Sequence, residues 1–187
     1  MGKPRIPVDV KFFCAITFSD IGLYEEAKQY LENHFGEIEI ISAIFDFNFT
    51  KYYYKEMGGN LKKQLLSFKK LHPPDRLPDF KLVTNEIEDK FTRNEKRKIN
   101  LDPGYLSPGK IVLATTKNFD HRIYLGKGIY GDVQLRYRGN KFHTNYWTYP
   151  DYRDMKAIEF MARLRKKYMK EFKKLNPIRR GGKQSNG

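Results

Sequence analysis

Two hydrophobic periodicities alternate in a fixed order along the first half of the chain, and that order limits the fold more than any other feature. "VDVKFFCAITF" (8–18) reads as a buried strand, and "SDIGLYEEAKQYLENHFG" (19–36) as a helix with Ser19 or Asp20 as its cap and Gly36 as its stop. "EIEIISAIFDFNFT" (37–50) returns to strand character, "LKKQLLSFKKL" (61–71) supplies a third strand, and a second helix runs over 75–91. Strand signals then dominate from 98 to 142, broken by "DPG", "SPG", "KNFD", "GKG" and "RGN", which read as turns. Strand, helix, strand, strand, helix, strand is the ferredoxin-like split βαβ order, in which helices cover one side of an antiparallel sheet. The expected fold is therefore α+β: a ferredoxin-like βαββαβ first half, a β-hairpin meander that enlarges and bends the sheet, and a long C-terminal helix.

That helix lies in "DYRDMKAIEFMARLRKKYMKEFKKLNP", with Asp151 as the expected N-cap and Asn176-Pro177 as its end. Met155, Ile158, Met161, Ala162, Leu164, Tyr168, Phe172 and Leu175 make an apolar stripe, with Arg163, Lys166, Lys167, Lys170, Lys173 and Lys174 on the other side. The expected organisation is a single α+β domain over 1–150, a basic amphipathic helix over 151–175 packed on it or extending from it, and a disordered tail over 176–187.

Charge is where composition enters the argument. The net charge is +14, and residues 151–187 hold 12 Lys or Arg against 4 Asp or Glu, so most of the excess lies at the end. Such an excess favours polyanions, yet no aromatic RNP run, KH-type GXXG loop or paired zinc ligands can be found. With no long apolar stretch and no secretory signal, a soluble cytoplasmic protein is expected. The single cysteine, Cys14, sits in a strand and reads as a small buried hydrophobe.

"LGKGIYGDV" (125–133) carries Gly126, Gly128 and Gly131 in the G-x-G-x-x-G spacing of phosphate loops. A dinucleotide fold needs a helix after the glycines, but "DVQLRYR" alternates as a strand. A kinase loop lies between strands, but no V-A-I-K, H-R-D or D-F-G accompanies this one, and no P-loop string occurs in the chain. Gly126 and Gly128 are instead expected to turn a tight hairpin at positive φ, with Gly131 allowing close packing or a bulge.

Ligand-binding candidates precede that hairpin. If "KIVLATT" and "HRIYL" pair across "KNFD", Lys117 and His121 approach each other, and Thr115, Thr116, Lys117, His121 and Arg122, assisted by Arg136 and Arg138, form a basic corner suited to phosphate. Glu56, after the tyrosines of "FTKYYYKEMGG", and Asp102, entering a Pro-Gly turn, are candidate acids or bases with His121 as partner. In "YWTYPDYR" (146–153), Trp147, Tyr149 and Tyr152 could stack bases, though Trp147 reads better as core under the last helix. No H-x-x-x-H, D-x-D or paired Cys supports a metal, and no cofactor is indicated.

"TKYYYKEMG", "NLDPGY", "LATTKNFDHRIYLGKGIY" and "WTYPDY" together resemble a family of prokaryotic proteins of about this length, known as a domain of unknown function. The resemblance runs from Val8 to Tyr152 and implies a cytoplasmic single-domain protein, but no reaction. The GTP-binding label such proteins sometimes carry has no counterpart here, since neither a P-loop nor an N-K-x-D motif is present. The functional expectation is a module that binds an anionic ligand, RNA or a nucleotide, through the basic corner. Its alternatives are an enzyme on a phosphorylated or nucleotide substrate using Asp102, Glu56 and His121, and a structural protein that holds a partner chain through the helix 152–175.

Overall fold

The computed structural model describes residues 2–175. The expected tail over 176–187 and the Asn176-Pro177 stop lie outside the described residues. In chain order the elements are β1 (Val10–Phe18), α1 (Ile21–Phe35), β2 (Ile38–Ile41), β3 (Phe45–Asp46), α2 (Tyr54–Met57), β4 (Lys62–His72), α3 (Leu77–Lys90), β5 (Thr92–Arg93) and β6 (Lys96–Arg97). They continue with β7 (Ile99–Leu106), β8 (Lys110–Thr115), β9 (Arg122–Gly126), β10 (Ile129–Arg138), β11 (Lys141–Thr144) and α4 (Met155–Leu175).

Among the described residues, nine strands form one antiparallel sheet with the order β11-β10-β8-β7-β1-β4-β2. The segment β7-β1-β4-β2 is the ferredoxin-like arrangement, and β8, β10 and β11 extend it past β7. Both outer edges are split: β2 and β3 share the edge of β4, and β9 and β11 share that of β10. β5 and β6 form a separate hairpin.

Side-chain alternation along β1 sorts the layers. Phe12, Cys14, Ile16 and Phe18 point to α1 and α3, while Phe13 and Ala15 point to α4. The first layer is aromatic, with Phe80 of α3 stacked between Phe12 and Phe35 at 4.0 and 4.1 Å. Asp20 caps α1, its Oδ1 accepting from the amides of Gly22 (2.7 Å) and Leu23 (3.1 Å), and Gly36 ends the helix at φ 90°. α4 closes the opposite face through Ala157, Phe160, Met161, Leu164 and Tyr168, so the molecule has three layers and not two.

Several local expectations need correction. α4 begins at Met155, after a 3-10 turn over Pro150–Arg153, and its first amides fold onto Asp154: Lys156 N–H donates to Asp154 Oδ1 at 2.8 Å. Asp154, not Asp151, is therefore the cap. The inward stripe gains Ala157 and Phe160 and loses Met155, Ala162 and Leu175, which are exposed. "DPG" lies inside β7 and makes no turn. "KIVLATT" and "HRIYL" do not pair, since β10 runs between β8 and β9. Trp147 is not under α4; Tyr152 occupies that core position.

The glycine hairpin is as the sequence suggests. Lys127 (φ 55°) and Gly128 (φ 75°) turn β9 into β10, with Gly126 at φ 107°. A Cβ on Gly131 would sit 3.0 Å from Leu125 Cδ1, which accounts for the third glycine by close packing.

Candidate functional site

A cleft opens where two neighbouring strands part. β7 stays on β1 as far as Ile99, and β8 stays on β10 as far as Thr115, but the β7–β8 ladder stops at Gly104–Leu113. The cause lies in the backbone. Ser107 N–H donates to Lys110 O at 2.9 Å, so odd residues of β7 and even residues of β8 are the ones whose amides meet across this pair. Tyr105 meets Val112, and the next pair would be Pro103 with Ala114, where Pro103 has no N–H to give. One step further, α3 takes over the β7 edge: Leu101 N–H donates to Glu88 Oε1 at 2.6 Å, and Lys81 Nζ donates to Leu101 O at 2.9 Å. Gly104 permits the close approach of the last pair, because a Cβ there would lie 2.6 Å from Val112 O.

The resulting cavity of about 450 Å³ is open on the α4 side of the sheet, beyond the start of that helix. Aromatic side chains of Phe47, Phe49, Tyr52 and Tyr53 form one wall, and Tyr149–Asp151 of the turn before α4 forms another. Lys63 of β4, Asn100 and Asp102 of β7, Leu113–Thr115 of β8, Thr116 and Lys117 just after it, and Asp132 of β10 complete the lining, with Lys81 and Arg97 also contributing.

Most of its charges are paired. Lys63, 3% exposed, donates to Asp151 Oδ2 at 2.6 Å and lies 3.7 Å from Asp102 Oδ2. Burial alone would lower the Lys63 pKa, but the Asp151 and Asp102 carboxylates outweigh it and hold the ammonium above its ordinary value. Asn100 Nδ2 donates to Asp102 at 2.8 Å and its Oδ1 accepts from Arg97 Nη1 at 3.1 Å; Arg97 also binds Glu56 (2.7 Å) and Glu88 (3.1 Å). Burial raises the Glu88 carboxyl above the usual range despite Lys81 and the Leu101 amide. Asp132 Oδ2 accepts from Arg122 Nε at 2.8 Å, and its Oδ1 from Gln134 at 2.7 Å.

Lys117 is different. Its Nζ donates to the Tyr52 hydroxyl at 3.2 Å and lies 4.5 Å from the Tyr52 ring centre, and among the described residues it has no carboxylate partner. Both contacts are to Tyr52, which is uncharged, so the ammonium keeps its charge unbalanced.

The residues proposed from sequence divide accordingly. Thr115, Thr116, Lys117 and Asp102 share the cleft lining. Glu56, His121 and Arg122 stand one contact behind it: Glu56 on Arg97, Arg122 on Asp132 and Tyr149, and His121 Nε2 3.3 Å from Asp132 Oδ2. His121 is stacked between Phe119 and Trp147 and contacts Asp132, not Asp102. Arg136 and Arg138 sit at the other end of β10, paired with Lys110 and Lys141, and take no part in the lining. Lys63, Asn100, Asp132 and Asp151 were not singled out from sequence as site residues. Among the described residues no cluster of His, Cys, Asp and Glu is arranged to hold a metal, and no helix is long and apolar enough to cross a membrane.

A family model described as a domain of unknown function (DUF4416) matches residues 8–168. The chain belongs to that family. No curated protein and no solved structure matches it. The DUF4416 span contains every residue of the cleft lining and takes in α4 as far as Tyr168, its last buried residue.

Proposed function

We propose that the cleft binds a small anionic ligand of the nucleotide class, in the cytoplasm, with Lys117 receiving the anionic group. The observation that carries this reading is Lys117 itself, a cation at the mouth of the cleft in contact with Tyr52 and with no carboxylate partner among the described residues. Thr115 and Thr116 stand beside it, and the Thr115 hydroxyl already accepts from the Lys117 amide at 3.2 Å. Aromatic walls suit a planar ring, and the volume falls in the range of small-molecule sites. A single nucleotide accounts for these features better than an RNA strand, because the cations deeper in the cleft are matched by Glu56, Glu88, Asp102 and Asp151.

The experiment is calorimetric titration of GTP, AMP and a short RNA oligonucleotide at two salt concentrations, with wild type and Lys117→Ala. Saturable binding of a nucleotide, weakened about tenfold in Lys117→Ala as the loss of one charged contact entails, is the expected result. Absence of nucleotide binding at low salt, or equal binding by both proteins, contradicts it.

One observation favours a second reading, an enzyme on such a ligand. Asp102 is the most open of the cleft carboxylates, 27% exposed against 1% for Asp132 and 7% for Asp151, and Asn100 orients it. Phosphate release from bound GTP or AMP that disappears in Asp102→Asn while binding persists would support catalysis; no release by wild type would leave a binding module.

A further inference from the structure

The floor of the cleft holds a short length of unpaired strand edge. Alternation along β8 turns Val112 and Ala114 toward β7, and Thr116 is the next residue of that series. Val112 finds Tyr105, but Ala114 faces Pro103, which offers no N–H, and Leu101, the counterpart of Thr116, has both backbone groups engaged by Glu88 and Lys81. Thr116 makes no backbone–backbone hydrogen bond with another described residue. The Ala114 carbonyl and the Thr116 amide thus stand side by side as acceptor and donor, on residues that line the cavity. Ala114 is buried, 4% exposed, so its carbonyl requires a partner, whereas the Thr116 amide belongs to an exposed residue and is open to solvent or to a ligand.

A heterocycle with an amino group beside a ring nitrogen, as in adenine, presents the complementary donor and acceptor on one edge and two flat faces for aromatic contact. We infer that the open edge of β8, through Ala114 C=O and Thr116 N–H, recognises the amino-heterocycle of an adenine-type nucleotide whose phosphate lies at Lys117. This rests on the reading of the cleft as a nucleotide site. Pro103 is then a functional proline, since it keeps the Ala114 carbonyl free for the ligand.

Calorimetry with the full chain separates the two levels, using AMP, N6,N6-dimethyl-AMP and ribose 5-phosphate. The expected result is that AMP binds about tenfold or more tightly than either of the others, the effect of losing one buried hydrogen bond or more. If all three bind alike, edge recognition is overturned and phosphate binding at Lys117 stands; if none binds, both readings fall. Pro103→Ala supplies an N–H to the Ala114 carbonyl, and it is expected to abolish the preference for AMP over the dimethyl analogue while ribose 5-phosphate binds as in wild type. Retention of the full preference by that variant would overturn the inference.

Discussion

The face of the sheet that α4 covers consists of two contrasting surfaces laid end to end along the same strands. On β1, β4, β7 and β8, one end carries Phe13, Leu65, Leu106 and Ile111, sealed by Phe160, Met161 and Leu164 of α4. The other end of β4, β7 and β8 carries Lys63, Asn100, Asp102 and Thr115 and opens to the cleft. Backbone geometry is shared, so the difference comes from side chains and from one interrupted ladder. The apolar end is held by non-directional packing and tolerates exchanges that conserve volume. The polar end depends on charges that must each keep a partner, and its stability and its ligand chemistry therefore draw on the same residues.

The sharpest way to test this contrast is to remove the cation at its centre. Lys63→Ala leaves Asp151 buried without its ammonium and is expected to destabilise the fold by about 3–5 kcal/mol in denaturant unfolding. Lys63→Met, which fills the same space, should lose less if Asp151→Asn accompanies it. The pH dependence has a definite sign. Because the folded-state pKa of Lys63 is raised, its contribution is complete below its ordinary value of 10.5 and is lost as pH rises through the folded value. Wild type should therefore lose stability more steeply above pH 10.5 than the Lys63→Met/Asp151→Asn pair.

On the apolar end, Leu164→Ala is expected to cost about 2–5 kcal/mol by leaving a cavity between α4 and the sheet. Nucleotide affinity should be unchanged when measured where the variant is folded. A parallel loss of affinity would show that the two surfaces are one unit. At the boundary, Gly104→Ala forces a Cβ against the Val112 carbonyl and should cost about 1–3 kcal/mol. Smallest in stability is Lys117→Ala, within about 0.5 kcal/mol of wild type because the side chain is exposed, although it removes the proposed anion contact.

Much of the fold is legible in the sequence because it is written in local periodicity. The order of elements, the Gly36 stop and the positive-φ hairpin at Gly126 and Gly128 need only neighbouring residues. The cleft is written elsewhere. Its opening depends on Pro103, and "DPG" carries a turn signal that the strand overrides because β1 pairs with it along its whole length. Asp151 carries the cap signal, but the 3-10 turn takes it to Lys63, 88 residues away in sequence, and leaves the cap to Asp154. Lys63 sits in "LKKQLLSFKK", where nothing local marks it as the buried lysine. Thr115, Thr116, Lys117 and Asp102 were recognisable by residue type, whereas the separation of His121 from Asp102 follows from β10 running between β8 and β9.

The most direct test is an amide chemical-shift titration of the full chain with AMP. The account predicts saturable shifts concentrated at Ala114–Lys117 and Asn100–Asp102, with the midpoint moved to about tenfold higher AMP in Lys117→Ala. Shifts confined to the lysine-bearing face of α4, or no saturable shift at all, would contradict it.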